Sequence, residues 1–501
     1  MSRTLILAIL FVFFYNNAYA QSIDDSFPLR KMTVDLELFK SIREKANSGL
    51  YTYRSKAQID SIYQEAFLKL PLLKSYREFY TLLINLTAYE GSIHNSTSWS
   101  KELLSSLKSE EKGYFPLPLK IIQGKLLVNI TGSEIPLGSE ILSINGNENN
   151  ELISVLGNYY TTDGFNQTGK KVGLDKHLSK YYRYYYGLSS EFEITHKFPS
   201  EDYVQTTIIK SVSYKKYYEN FNLRHSIILD RILYEDISKD EYYSFEKINS
   251  STGILTINSF SLGSEKSESH LKFKTFIDSV MIDLNQNDFS NLIIDIRNNG
   301  GGNPPNDMLT LSYLVDSPQK EVESAWISFT EEVPYWRHFQ LDIPFFFRPI
   351  AKSKLKKIMK QELPIVRDNK RYYKDIVVHQ PSINKFDGQT YLLIGPAVAS
   401  AASLFAAMVS SNSDAIIAGE ETGGGYYGHN GSFPVVYKLP KSNISTSFSI
   451  VNITQDVIEK ENQLLGSGVM PDFPIEQSVA DFKNNIDTQL NYTLKLIKKS
   501  N

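Results

Sequence analysis

The run from Leu292 to Gly302, Leu-Ile-Ile-Asp-Ile-Arg-Asn-Asn-Gly-Gly-Gly, constrains the fold more than any other stretch of the chain. A short apolar segment rich in β-branched residues reads as a buried strand. The polar pair and three glycines that end it read as a turn. Glycine lets a ligand approach bare backbone N–H groups, and such groups at a strand end can hold an oxyanion. A plain glycine turn between strand and loop satisfies the same pattern.

A second segment of this kind runs from Tyr391 to Met408. Tyr391 to Ile394 is predicted as another buried strand, Gly395-Pro396 as a turn, and Ala399 to Ser410 as a helix. Ser400 then falls in the first helical turn, where N–H groups lack intrahelical partners and the macrodipole favours negative charge. A serine there can attack a carbonyl while the Ala401 N–H steadies the oxyanion. As an N-cap, Ser400 would have a purely structural role.

Together these segments resemble the C-terminal processing (tail-specific) serine peptidases, including the tricorn branch. The resemblance rests on Asp295-Ile-Arg-Asn-Asn-Gly-Gly301, Ser400-Ala-Ala-Ser403, Ala415-Ile-Ile-Ala-Gly-Glu-Glu-Thr-Gly423 and Gly466-Ser-Gly-Val-Met-Pro-Asp472, in that order. It implies Ser400 as nucleophile, with Ala401 and the turn at Gly300 and Gly301 as oxyanion donors. Many members place a dyad lysine shortly after the Gly-Glu-x-Thr motif, where this chain has Gly425. Glycine takes no proton, so the chain resembles the branch in which histidine is the base.

Among eight histidines, His94 follows a helical stretch, Tyr76 to Ala88, in a turn that loosely resembles the family's histidine turn. Imidazole titrates near neutrality and suits a general base. His429, in the glycine-rich loop after the Gly-Glu motif, is the rival. The others have no motif around them. The tricorn branch orients its histidine with a glutamate before the terminal Gly-Val-x-Pro-Asp motif. Glu461 matches that place, with Glu459 as the alternative.

Met1 to Ala20 has the pattern of a secretory signal peptide: Arg3, an apolar stretch, then Ala18-Tyr19-Ala20. An exported chain, periplasmic or secreted, is expected. There is no cysteine, hence no disulfide framework. A formal net charge of −3 argues against dedicated nucleic-acid binding, and no other apolar run approaches membrane length. No phosphate loop or metal-ligand spacing is present, so no cofactor is expected.

The expected fold is α/β and multidomain. A helical domain spans residues 21–112. A β-rich module follows at 113–219, in which Ile135 to Glu148 resembles the core of a PDZ domain, a fold that binds extended peptides by strand addition. The peptidase core covers 220–499, crotonase-like by resemblance, with an insertion at about 303–385 that reads as a lid or a solvated excursion. The resulting expectation is an exported serine endopeptidase that hydrolyses unstructured polypeptide through an acyl-enzyme. The alternative is an inactive peptide-binding protein of the same fold.

Overall fold

The computed structural model describes residues 22–500 apart from 200–202, 228–229, 231–237, 342 and 375. The signal-peptide expectation therefore lies outside the described residues. Among them, no helix is long and apolar enough to cross a membrane, and no group of side chains is arranged to hold a metal ion.

The central sheet is built as the apolar runs demand. Its order is Phe473–Pro474, Ile416–Gly419, Gln389–Ile394, Asn291–Asp295, Thr252–Ile257, Tyr243–Lys247, parallel except for the last pair. Alternation splits the glycine-turn strand between two cores. Leu292 and Ile294 pack with the helices Glu268–Gln286 and Ala401–Asn412, while Ile293 joins Tyr391, Leu393 and Ile497 of the C-terminal helix. Both faces are covered, which is why the strand reads as a continuous apolar run. Each such buried Leu or Ile contributes about 1.5–3 kcal/mol.

Helices Leu29–Ala46, Lys56–Lys69 and Tyr76–Tyr89 form the N-terminal layer. Ser55 and Ser75 start the latter two with complete capping boxes, on Gln58 and Glu78. The strand Ser96–Ser98 leaves this layer and pairs with Ser445–Thr454. That long strand also pairs with Gly428–Lys438 and with Ser324–Ile327, and Lys370–Tyr372 and Ile365–Arg367 extend the sheet further. Much of the segment expected as a lid or solvated excursion is thus half of a second sheet.

The β-rich module has strand order Leu119–Ile122, Lys125–Val128, Glu140–Ile144, Glu191–Lys197, Val204–Lys210, with Asn147–Glu148 beside the third. The helix Asn149–Gly157 follows. A second, longer helix, Lys170–Tyr186, was not expected from an alternation of strands and turns. It lies against Leu119–Ile122, where Asp175 accepts the Ile121 N–H (2.9 Å). Glu476 of the core accepts the Gln123 N–H (2.8 Å) next to the same edge. That edge is closed to strand addition. Val204–Lys210 has one strand neighbour and is largely exposed.

Candidate active site

Ser400 stands between the strand Gln389–Ile394 and the helix Ala401–Asn412, at the helix N-cap position, with φ 52° and ψ −131°. Its side chain accepts no cap hydrogen bond, so the N-cap alternative does not explain it. A non-glycine residue held at positive φ costs of order 1–3 kcal/mol, and such strain gathers where a side chain must be presented to a ligand. The close packing that imposes it is visible at Gly301. With φ 109°, a Cβ there would meet Ser400 Cβ and the Ala399 carbonyl at 2.8 Å, and the Ala401 nitrogen at 3.1 Å. Only a bare glycine lets the two strand ends meet this closely.

The two glycines of the turn play different parts. The Gly301 N–H donates to Asn299 Oδ1 (2.9 Å), and Asn299 Nδ2 in turn donates to the Ile257 carbonyl (3.2 Å). The Gly301 N–H, expected among the oxyanion donors, is thus engaged by Asn299. Gly300 makes no hydrogen bond among the described residues, and a Cβ on it would meet only open space. Gly300 and Ala401, at the first helical position, remain as free donors.

His94 and its rival lie side by side, their ring centroids 5.3 Å apart. His94 is half-buried in the turn after Tyr76–Tyr89, and its Nε2 is buried without a hydrogen-bond partner. Burial lowers its pKa. His429, on Gly428–Lys438, is fully buried, and burial followed by the nearby His94 pushes it down to about 3. An imidazole that resists protonation so strongly is a poor proton carrier near neutrality. Of the two, His94 is the more exposed. Among the other histidines, His270, His177, His196 and His225 are engaged with Asn306, Tyr218, Thr207 and the 482–483 carbonyls.

Glu461, with Glu459 as the alternative, is the expected acidic partner of His94. Glu461 and Glu459 are both exposed. Lys460 between them donates to the Ser410 carbonyl (2.6 Å), near the far end of the nucleophile helix, about 15 Å along it from Ser400. The residue missed in the sequence is Asp163, from the β-rich module. Its Oδ1 accepts the Ile93 N–H (2.8 Å) and its Oδ2 the Gly425 N–H (3.0 Å), so one buried carboxylate ties the histidine turn to the glycine loop. Thr161 of the same segment donates to the carbonyl of Asn95 (2.8 Å). The glycine loop lies in turn against the approach to the nucleophile, with the Gly424 N–H on the Val398 carbonyl (3.0 Å). Burial raises the Asp163 pKa to about 7 despite the two backbone donors. An acidic residue in an unremarkable Thr-Thr-Asp-Gly loop gives no sequence clue to this role.

The remaining motifs brace that loop. Thr422 Oγ1 accepts the Val469 N–H (2.8 Å) and donates to the Gly424 carbonyl (2.7 Å), and Glu421 accepts the Gly468 N–H (2.9 Å). Gly425 is walled in: a Cβ there would stand 2.8 Å from the Gly428 carbonyl and 3.3 Å from the Tyr53 hydroxyl. The pair Asp295–Arg297 clamps Asp487, ahead of the C-terminal helix, through contacts of 2.6 and 2.8 Å.

Residues 251–475 match the family model described as peptidase family S41. No curated protein sequence matches the chain. The fold is similar to that of mature CPAF complexed with lactacystin, at 15% identity over 94% of this chain and 98% of that one, with TM-score 0.59. Mature CPAF alone gives 13% identity over 91% and 94%, TM-score 0.55. A CPAF mutant gives 15% identity over 91% and 94%, TM-score 0.60.

Proposed function

We propose that this chain, whose residues 251–475 match the model of peptidase family S41, is a serine peptidase with Ser400 as its nucleophile and His94 as its general base. The observation that carries the reading is the strained turn at Ser400, pressed against Gly301 beside the free Gly300 and Ala401 N–H groups. Ser400 Oγ attacks the scissile carbonyl, His94 takes the proton and returns it to the leaving amine, and water then hydrolyses the acyl-enzyme. Gly300 and Ala401 hold the oxyanion. Asp163 fixes the turn that carries the base. Neither a metal nor an organic cofactor enters these steps.

The substrate is an unstructured stretch of polypeptide, and the enzyme acts after export, a reading that rests on the Met1 to Ala20 pattern. The β-rich module is PDZ-like and the core crotonase-like in this reading. Any strand addition would use the Val204–Lys210 edge, since Asp175 and Glu476 close off the other. A serine-reactive phosphonate followed by peptide mapping tests the assignment. Label should fall on Ser400 and vanish in Ser400→Ala together with proteolysis. Proteolysis that persists in the purified variant would sink it.

A further inference from the structure

A cavity of about 640 Å³ lies between the N-terminal helices and the 162–170 segment of the module. Helices Lys56–Lys69 and Tyr76–Tyr89 give it an apolar wall of Ile62, Ala66, Leu82 and Leu86. Two cations, Arg54 and Lys170, line it without an ion pair to any carboxylate among the described residues. The Arg54 guanidinium sits 4.2 Å from the centre of the Tyr89 ring and 4.6 Å from that of Phe165, and its Nη1 is buried without an acceptor. Lys170 Nζ donates to the neutral amide of Asn158 (3.0 Å).

Arg77 and Glu78, also at the cavity, are spoken for. Arg77 pairs with Asp24 (3.0 Å), and Glu78 turns back onto the Lys74 and Ser75 N–H groups (2.6 and 2.9 Å). Lys69 is exposed. Glu90 acts on Arg54 only at longer range and is committed to Arg43 (3.4 Å) and Asn95 (2.7 Å). Holding two like charges together in a partly desolvated space costs free energy that an anion would recover. Ile62, Ala66, Leu82 and Leu86 supply an apolar part of the same lining.

We propose that this cavity is a binding site for an amphiphilic carboxylate, with its head on Arg54 and Lys170 and its apolar body along Ile62, Ala66, Leu82 and Leu86. The same chemistry is found in a free medium-chain fatty acid and in a peptide C-terminus with an apolar last residue. Thr162, Gly164 and Asn166 also line the cavity, while Asp163 between them points to the histidine turn, so an occupant would rest on the loop that positions His94.

Calorimetry on the full chain carrying Ser400→Ala, which removes turnover, tests the site. The probes are decanoate below its micelle concentration, decanol, an acetylated tripeptide ending in leucine, and its C-terminal amide. One carboxylate should bind at least about tenfold tighter than its neutral counterpart, since a hydrogen bond to a charged group contributes about 1.5–3 kcal/mol. Which carboxylate binds identifies the source. Lys170→Gln and Arg54→Gln should each weaken that carboxylate about tenfold and leave the neutral probe unchanged, with Arg54→Lys retaining part of the affinity. Thermal unfolding checks that each variant is folded. Equal binding of acid and neutral probes, no binding of either carboxylate, or affinity indifferent to a folded Lys170→Gln variant would each overturn the proposal.

Discussion

The strain at Ser400 separates its catalytic role from its structural cost. Ser400→Ala keeps the unfavourable φ of 52°, whereas Ser400→Gly adopts it freely. Both variants should be inactive, and the glycine form should be the more stable by about 1 kcal/mol. Denaturant unfolding of the two measures this directly. His94 makes a second prediction. Burial lowers its pKa, and a base acts only when unprotonated, so activity should rise with pH through an apparent value below the usual 6.5. The acid limb of kcat/KM reads this, and His94→Ala should lose it along with most of kcat. Asp163 gives a third. Asparagine can accept only one of the two N–H groups on its carboxylate, so Asp163→Asn should slow acylation by about 1–3 kcal/mol of barrier with little change in KM. Its pKa is raised in the folded state, so its contribution to stability is full below about 3.8 and lost as pH rises through about 7. The stability difference between wild type and Asp163→Asn should shift against wild type over that interval. Ser400, Ala401 and His94 were candidates from the sequence because each sits in or near a family motif, loosely so for His94. Asp163 was not, because its role exists only once residues 93, 163 and 425 are brought together.

Helices with one buried face were readable, and those buried on several sides were not. Tyr76–Tyr89 shows its cap and its apolar face in the sequence, and the structure adds one residue to the expected end. Lys170–Tyr186 buries Leu174, Leu178, Ser179, Tyr181, Tyr182, Arg183 and Tyr184, which leaves no clean helical stripe. Arg183 is buried against Glu110 (2.6 Å) and Asp24 (3.1 Å), partners that local pattern cannot reveal. Likewise, 303–385 looked like an excursion because its strands are short and pair with residues far along the chain. The glycine loop gives a prediction at this scale. Gly425→Lys places a Cβ 2.8 Å from the Gly428 carbonyl, so it should destabilise the fold by about 1–3 kcal/mol. It should also fail to restore hydrolysis to a His94→Ala enzyme, because the loop must deform to admit the side chain. Unfolding midpoints and single-turnover acylation measure both effects.

Across the whole molecule, the β-rich module is a brace for the active centre. It supplies Asp163 and Thr161 to the histidine turn and is bound to the core through Lys171 with Glu420 (3.0 Å) and Glu476 (2.7 Å). Deleting residues 113–219 should therefore abolish cleavage of short peptides as fully as that of long unfolded chains; survival of short-peptide cleavage would show that the module serves delivery alone. A different consequence follows from the strand Ser96–Ser98, which stitches the N-terminal layer to Ser445–Thr454. The proposed base and nucleophile lie far apart in the chain, and the pairing of Ser96–Ser98 with Ser445–Thr454 can close only after both have been made. Trp99, one residue beyond the stitch and stacked on Tyr80, is a built-in reporter of that moment: during refolding, phosphonate reactivity at Ser400 should return in step with its burial and never ahead of it.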